Sequence, residues 1–381
     1  MDKVRLGLIG VGGIGKYHAD RLLEGKVKNC ELTAIADKDE SALAKFKGPK
    51  TYTDSSAMMA SGEIDAVHIA TPHFLHTSLG IEALNQGLHV LVEKPISVHK
   101  KDCEKLIAAH SNKDLVFSAM FNQRTAPAFN KLKQLILDGE LGEITRVNWI
   151  ITDWFRTASY YANGRWRATW KGEGGGVLLN QCPHQLDLLQ WLCGMPSKVR
   201  GFAHLGAKHD IEVEDQVTAY LEWANGATGV FITTTGEAPG TNRFELAGER
   251  GKVVIENDKL FFTRNEQPMS EFSKNASGGF DQPDIWNIEI PLKESPDQHV
   301  AMLQNFVNAI VDGEALIAPA EEGINSVELA NATLYSSLMG ETIELPLDSE
   351  AYANKLDSLI ATSNYDQKVV KKVEQNMDKS F

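Results

Sequence analysis

The sequence predicts an α/β chain: a doubly wound parallel sheet at the N-terminus, followed by an α+β domain whose sheet is mostly antiparallel. Three observations predict this. From Val4 to Ala119, short apolar runs alternate with amphipathic helical stretches. A glycine-rich turn follows the first of those runs directly. From Ser197 to Pro291, strand-like segments succeed one another across short turns.

In the first half, Val4–Ile9, Leu32–Ala36, Ala66–Ala70, Val90–Val92 and Leu115–Ala119 are continuous apolar or β-branched runs of strand length. Strands buried on both faces read this way, because helices cover both sides of a parallel sheet. Between them, Tyr17–Leu23, Thr77–Gln86 and Lys101–Ala109 carry helical periodicity, and repeated β-α units imply right-handed crossovers. After Asn122 the rhythm changes. A helical segment, Ala126–Leu137, precedes a long strand, Glu143–Phe155, and a loop rich in Gly, Trp and Arg at Gly164–Gly175. A helix is expected over Gly176–Leu192. Strands follow at Lys198–Leu205, Gln216–Trp223, Thr228–Thr235, Arg243–Gly248, Lys252–Glu256 and Leu260–Thr263, with turns such as Ala224-Asn225-Gly226 between them. Helices near Gln298–Val311 and Glu321–Ser336 close the domain. The tail puts Tyr352, Leu356, Leu359 and Ile360 on one helical side and ends in a charged run, Lys368–Lys372. The expected division is a dinucleotide-binding domain over 1–122, a substrate-binding and oligomerisation domain over 123–345, and a helical tail over 346–381.

Composition excludes several classes of function. At 381 residues, with 43% hydrophobic and 23% charged residues, the chain suits two ordinary globular domains. A net charge of -13 argues against binding a nucleic-acid backbone, which needs a basic face. No apolar run approaches the roughly 20 residues of a membrane span. The start, Met1-Asp2-Lys3, leaves no room for a signal peptide before the first strand. Cys30, Cys103, Cys182 and Cys193 form no CxxC pair and no metal-ligand spacing with histidine, so a reduced, cytoplasmic setting without a metal is expected. Cys182 reads as a small buried thiol.

The cofactor site is the most specific feature. Gly10-Val11-Gly12-Gly13-Ile14-Gly15 is a GxGxxG run that follows a strand and opens a helix, the context that gives the motif meaning. Gly10 permits the tight turn, Gly12 lets the backbone approach a pyrophosphate, and Gly15 allows close helix packing. The helix N-terminus then receives the negative charge. Asp37, at the end of the second strand, is placed to accept hydrogen bonds from the adenosine ribose. Its carboxylate would repel a 2′-phosphate and so favours NAD, while the neighbouring Lys38 leaves NADP open. His76, in Thr71-Pro72-His73-Phe74-Leu75-His76, is expected to help close the nicotinamide pocket.

Two further segments carry chemistry. Glu93-Lys94-Pro95 follows the fourth apolar strand, and in such sheets ligands sit beyond the carboxyl ends of the strands, so Lys94 should face the cleft. In Gly174–Asp187, a helix from Gly176 would set Asn180 and His184 four residues apart on one face. Around the cleft, Arg124, Asp153, Trp154, Arg156, Tyr160, Arg165, Trp166 and Trp170 are candidate sugar contacts, with aromatic rings to stack on sugar faces and charged groups to bind hydroxyls.

With these residues in view, the sequence resembles the Gfo/Idh/MocA family of sugar and polyol oxidoreductases. The resemblance extends from Val4 to roughly Leu345. It rests on Gly10–Gly15, Ala70-Thr71-Pro72, Glu93-Lys94-Pro95, Phe121-Asn122-Gln123-Arg124 and Gly174–Asp187. It implies a Rossmann domain and then a large open sheet, through which members assemble as homodimers or homotetramers. It also implies that Lys94 hydrogen-bonds the reacting hydroxyl and that His184 is the general base. Inositol dehydrogenases of the family carry aspartate four positions before that histidine, whereas this chain has Asn180. Asparagine can bond a hydroxyl but cannot relay a proton, so the inositol substrate does not carry over by analogy.

The chemistry suits these residue types. Removing a hydride from a carbinol carbon requires loss of the hydroxyl proton, which a histidine can accept. A nearby ammonium stabilises the developing alkoxide. The expected function is NAD(P)-dependent oxidation of a secondary hydroxyl on a cyclic polyol or a pyranose-like sugar. The alternative is an NAD-dependent glycoside hydrolase or epimerase of the same family with no net redox change. A dinucleotide-binding sensor is a third reading, which would have no need of both Lys94 and His184.

Overall fold

The computed structural model describes residues 2–371. Six strands form the first sheet: β1 (Val4–Ile9), β2 (Cys30–Ala36), β3 (Lys50–Tyr52), β4 (Ala66–Ile69), β5 (His89–Val92) and β6 (Phe117–Ala119). They run in the order β3-β2-β1-β4-β5-β6, and every neighbouring pair is parallel. The helices of this half are α1 (Gly13–Leu23), α2 (Glu40–Leu43), α3 (Ser55–Met59), α4 (Phe74–Asn85) and α5 (Lys100–Ala109). Leu6, Leu8, Val67 and Leu91 have no exposed surface, which is why these strands read as unbroken apolar runs. The winding reverses between β1 and β4, and at such a switch point the carboxyl ends of the strands open a crevice for a ligand.

The second half begins with α6 (Pro127–Leu137), β7 (Ile144–Ile151), α7 (Ala158–Ala162) and α8 (Pro183–Cys193). Its strands continue with β8 (Lys198–Leu205), β9 (Glu214–Glu222), β10 (Thr228–Thr234), β11 (Asn242–Gly248), β12 (Gly251–Glu256) and β13 (Lys259–Asn265). Then come α9 (Met269–Asn275), β14 (Ile285–Ile290), α10 (Gln298–Asp312), α11 (Gly323–Met339), β15 (Ile343–Glu344) and α12 (Ser349–Ala361). The nine strands lie in the order β14-β13-β12-β11-β7-β10-β9-β8-β15. Only the β7–β10 pair is parallel. One face of the sheet buries Val147, Trp149, Phe231, Phe244 and Leu246 in a core shared with α8, α11 and α12. The opposite face leaves Phe202, Tyr220, Phe261 and Trp286 exposed. Helix α10 packs Met302, Leu303, Phe306 and Val307 into the core of the first sheet, so its N-terminus reaches the crevice.

Several expectations need correction. The helix expected over Gly176–Leu192 starts only at Pro183, and residues 176–182 form turns. The reason is tertiary. The backbone N–H groups of Gly176 and Leu178 donate to Glu214 Oε1 at 2.8 and 3.1 Å, and Val177 N–H donates to Glu214 O at 2.9 Å. A Cβ on Gly176 would lie 1.9 Å from that carbonyl oxygen. Pro183 lacks the N–H that would continue an earlier helix and takes the first helical position instead. Asn180 and His184 therefore do not share a helix face. The expected strand Glu143–Phe155 ends at Ile151. Strands β3, β14 and β15 were not anticipated: two are very short, and β14 is a mostly exposed edge whose alternation of Trp286, Ile288 and Ile290 with Asn287 and Glu289 went unread.

The tail helix α12 buries Tyr352 and Leu356 as its pattern suggests. Of the charged run Lys368–Lys372, Lys372 lies outside the described residues. Lys368 Nζ donates to Arg167 O, and Lys371 N–H donates to Ala162 O at 2.9 Å, so the tail crosses the loop that follows β7.

Candidate active site

The glycine turn links β1 to α1 at the mouth of the crevice. Gly10 sits at φ +88°, and a Cβ there would lie 2.5 Å from Ala70 O. A Cβ on Gly15 would lie 1.9 Å from Gly10 O, so helix and strand meet at a distance only glycine allows. Gly12 differs: nothing lies within 4 Å of its would-be Cβ. No side chain caps the N-terminus of α1, which leaves the N–H groups around Gly13, Ile14 and Gly15 to face that open space. Asp37 follows β2 and accepts from Val11 N–H at 2.8 Å and from Asp39 N–H at 2.9 Å, so its carboxylate is pinned beside the turn. Lys38 is exposed. Thr71 Oγ1, after β4, is buried without a partner. An uncapped helix end, an open approach at Gly12, a fixed carboxylate after β2 and an unsatisfied hydroxyl together fit a dinucleotide.

His76 is not open to that crevice. Its two ring nitrogens lie 2.8 Å from Pro95 O and from Thr71 O, and the side chain is fully buried. It ties the Thr71-Pro72 loop to the segment after β5, and no ring nitrogen is left for a cofactor.

Glu93 and Lys94 stand at the carboxyl end of β5. Glu93 is buried and shares a 2.7 Å hydrogen bond with His18 Nε2 from α1; His68 Nε2 on β4 is 3.6 Å away. Burial pushes this carboxyl up, but the two imidazoles outweigh it and hold it well below the usual carboxylate range. His68, by contrast, is driven down to about 4, first by burial and then by His18. The ligand atoms of His18, His68 and Glu93 lie within 4.8 Å of one another, a donor set that could also hold a cation. The sequence showed no such group, because its members come from α1, β4 and β5 and meet only in the fold.

Lys94 Nζ donates to Asn180 O at 3.0 Å. Burial lowers its pKa against the pull of Glu93 and Glu173, and Arg156 and Arg167 lower it further. His184, at the start of α8, is 6% exposed, its ring stands nearly perpendicular to that of Phe121, and its Nδ1 is buried without a partner. Burial, then Lys94, then His299 at the start of α10, hold His184 well below its ordinary pKa. The ring is therefore neutral, the form that can accept a proton. His184 makes no bond to Asp187.

The side chain of Asn180 sits in a network. Its Oδ1 accepts from Tyr160 Oη at 3.0 Å and from Gln181 Nε2 at 2.8 Å, while its Nδ2 donates to Glu173. Glu173 is buried, also accepts from Ala168 N–H, and is pushed up by that burial. Tyr160 lies under the guanidinium of Arg167, whose Nη1 donates to Tyr160 Oη at 2.5 Å. Arg165 points outward and is exposed, so the arginine of this loop that reaches the network is Arg167. Trp166 packs against His73 and Arg167, whereas Trp170 is buried and anchors the loop through its N–H to Glu212. Asp153 is at the rim, with its carboxyl pushed up by partial burial.

Arg124 is not a substrate contact. Its side chain is 1% exposed, forks onto Asp187 with two 2.7 Å bonds, and donates to Glu322 at 2.6 Å. It joins α8 to the turn before α11. Cys182 is a small buried thiol, pushed up to about 12 by burial, and it contacts Thr233 Oγ1 at 3.1 Å. Sequence reasoning missed His18, Arg167, Glu173 and Gln181. Each acts through a partner on another element, and no local spacing reveals it.

A family model described as an oxidoreductase family with an NAD-binding Rossmann fold matches residues 4–121, and the GFO/IDH/MocA C-terminal domain matches residues 129–254. The chain belongs to the Gfo/Idh/MocA family. Among members of that family, the levoglucosan dehydrogenase of Pseudarthrobacter phenanthrenivorans is 27% identical over 91% of this chain and 99% of its own. The inositol 2-dehydrogenase of Rhizobium meliloti is 26% identical over 87% of this chain and 96% of its own. Among solved structures, the WlbA dehydrogenase of Bordetella pertussis, in complex with NADH and UDP-GlcNAcA, superposes with a TM-score of 0.76 at 28% identity. That match covers 91% of this chain and all of the other.

Proposed function

We propose that the chain oxidises a secondary hydroxyl of a cyclic polyol or sugar, with NAD as the hydride acceptor. One observation carries the reading: a lysine held at the carboxyl end of a central strand stands beside a buried, neutral histidine whose Nδ1 has no partner. NAD, when bound, supplies the carbon that takes the hydride. The turn Gly10–Gly15 receives its pyrophosphate and Asp37 its adenosine ribose, with Thr71 Oγ1 as a further donor. Lys94, aligned by Asn180 O, donates to the substrate oxygen and stabilises the alkoxide charge as it develops. His184 takes the hydroxyl proton; burial keeps it neutral beforehand, and the same burial makes it return the proton readily in the reverse direction. Asn180, Tyr160 and Glu173 brace one another so that their remaining donor and acceptor capacity faces the sugar hydroxyls. Trp166 offers an apolar face beside them.

The exposed apolar residues on the outer face of the nine-stranded sheet support assembly of homodimers or homotetramers through that face. No helix among the described residues is long and apolar enough to cross a membrane, and a cytoplasmic enzyme acting on a diffusible substrate is part of the proposal. The division at 122 and 345 would place cofactor binding in the first domain and substrate contacts in the second.

The test is a screen of NAD and NADP against inositols, aldoses, anhydrosugars, sugar acids and sugar phosphates, read at the reduced-nicotinamide absorbance band. Turnover with NAD on at least one of them is expected. No absorbance change with either cofactor across the whole panel would overturn the reading.

A further inference from the structure

Two arginines of the substrate loop are left without the partners that buried guanidinium groups usually have. Arg156 and Arg167 both lie over the ring of Tyr160, at 5.1 and 4.2 Å from its centroid. Arg167 donates through Nη1 to Tyr160 Oη, and Arg156 donates through Nη1 only to the neighbouring Phe155 O at 3.2 Å. The Nε of each is buried and has no hydrogen-bond partner. Among the described residues, neither guanidinium makes an ion pair with a carboxylate. Arg124 shows what a satisfied guanidinium looks like in this chain, with three bonds to two carboxylates.

The nearby carboxylates are engaged elsewhere. Lys94 stands close enough to feel both arginines, and Lys368 from the tail joins them by donating to Arg167 O. Against these four cations stand Glu93 and Glu173 beside Lys94, Glu212 toward Lys368, and Asp153. The Glu173 carboxyl is already engaged by Ala168 N–H and Asn180, and Asp153 lies at the rim. Glu93 is held by His18, and Glu212 accepts from Trp170 N–H and Ser363 Oγ, so neither of these carboxylates bonds the two guanidinium groups. A neutral polyol would leave two half-buried guanidinium forks unpaired beside the reacting centre, and unpaired buried charge is costly. A planar or tetrahedral oxyanion matches those forks.

We propose that the substrate is an anionic sugar, whose carboxylate or phosphate group is held between Arg156 and Arg167 over Tyr160. This rests on the sugar-oxidising reading and names its substrate class. Lys94 is then left free to act on the hydroxyl, because the arginines take the fixed negative charge.

The test uses the full chain with NAD and four probes: a hexuronate, the matching hexuronamide, the parent hexose and its phosphate monoester. The hexuronate or the phosphate ester should show a KM at least about tenfold below that of its neutral counterpart, a difference that one charge-assisted fork readily supplies. Whichever anion prevails identifies the group. In Arg156→Gln and Arg167→Gln, the preference for the anion over its neutral counterpart should fall toward unity. Calorimetric binding to the NAD-loaded protein gives a second readout that needs no turnover. Arg-dependent binding of an anion without turnover would support the anion site while overturning the dehydrogenase reading. Oxidation of neutral sugars with equal or better efficiency, or an equal loss for acid and amide in both variants, would overturn the anion site and leave the dehydrogenase reading standing. Failure of all four probes to bind would overturn the anion site.

Discussion

Replacing Glu214 by glutamine should remove a pH dependence from the stability of the protein. Glu214 has no exposed surface; one carboxyl oxygen accepts from Gly176 and Leu178 N–H, and the other is buried without a partner. Burial, outweighing those hydrogen bonds, raises its pKa from 4.5 to about 7. Because the folded-state value is the higher one, the folded chain binds this proton more tightly than the unfolded chain. The contribution to stability is therefore complete below about pH 4.5 and is lost as pH rises through about 7. At about 1.4 kcal/mol per pKa unit, the wild type should lose roughly 2–3 kcal/mol relative to Glu214→Gln between about pH 5 and about pH 8. Glutamine keeps the acceptor for Gly176 and Leu178 and cannot ionise. Urea unfolding of both proteins at the two pH values measures the difference. Parallel profiles would refute the reasoning, because they would mean that the buried carboxyl does not change its proton affinity on folding. The site is involved as well, since the turn that Glu214 pins carries Asn180, whose carbonyl aligns Lys94.

Arg124→Met should destabilise the fold by about 3–5 kcal/mol, because it leaves the Asp187 carboxyl buried without its cation, and Arg124→Met with Asp187→Leu should recover much of that loss in thermal denaturation. A substrate contact at Arg124 would instead raise KM and leave the melting temperature alone. Gly12→Val should fold normally, since its side chain enters open space, yet weaken NADH binding at least about tenfold in a fluorescence titration. Gly15→Ala should do the opposite first, lowering thermal stability by about 1–3 kcal/mol as its methyl meets Gly10 O. Lys94→Met should reduce kcat by roughly 100- to 1,000-fold with NADH affinity retained, the loss expected for one stabilising donor; an unchanged kcat would remove Lys94 from the chemistry.

Most of the fold was legible because burial wrote itself into local pattern. Val4–Ile9 and Ala66–Ile69 read as strands since both of their faces are covered. The glycine fingerprint was legible because Gly15 answers a contact with Gly10 O inside one β-α turn, although Gly10 itself answers Ala70 O after β4. The segment after Gly176 misled for the same physical reason in reverse. Val177, Leu178 and Leu179 are buried, as an apolar run would suggest, but Glu214 and Pro183 decide their backbone. Arg124 looked like a cleft residue from its motif, and only Asp187 and Glu322, far along the chain, reveal its structural part. The hydrogen bond from His18 to Glu93 spans 75 residues, and no spacing rule anticipates it. The choice of Arg167 over Arg165 turns on the direction of a loop that the sequence leaves undetermined.

The central claim is that a hydride leaves a substrate carbon for nicotinamide while Lys94 and His184 manage the proton. The most direct measurement incubates the protein with NAD and a substrate deuterated at its ring carbons, then weighs both products. The account predicts reduced nicotinamide one mass unit heavier than the unlabelled form, formed in equal amount with a ketone, and a loss of both in Lys94→Met and His184→Asn. Substrate converted without a rise in reduced cofactor, or label retained entirely in the sugar, would contradict it.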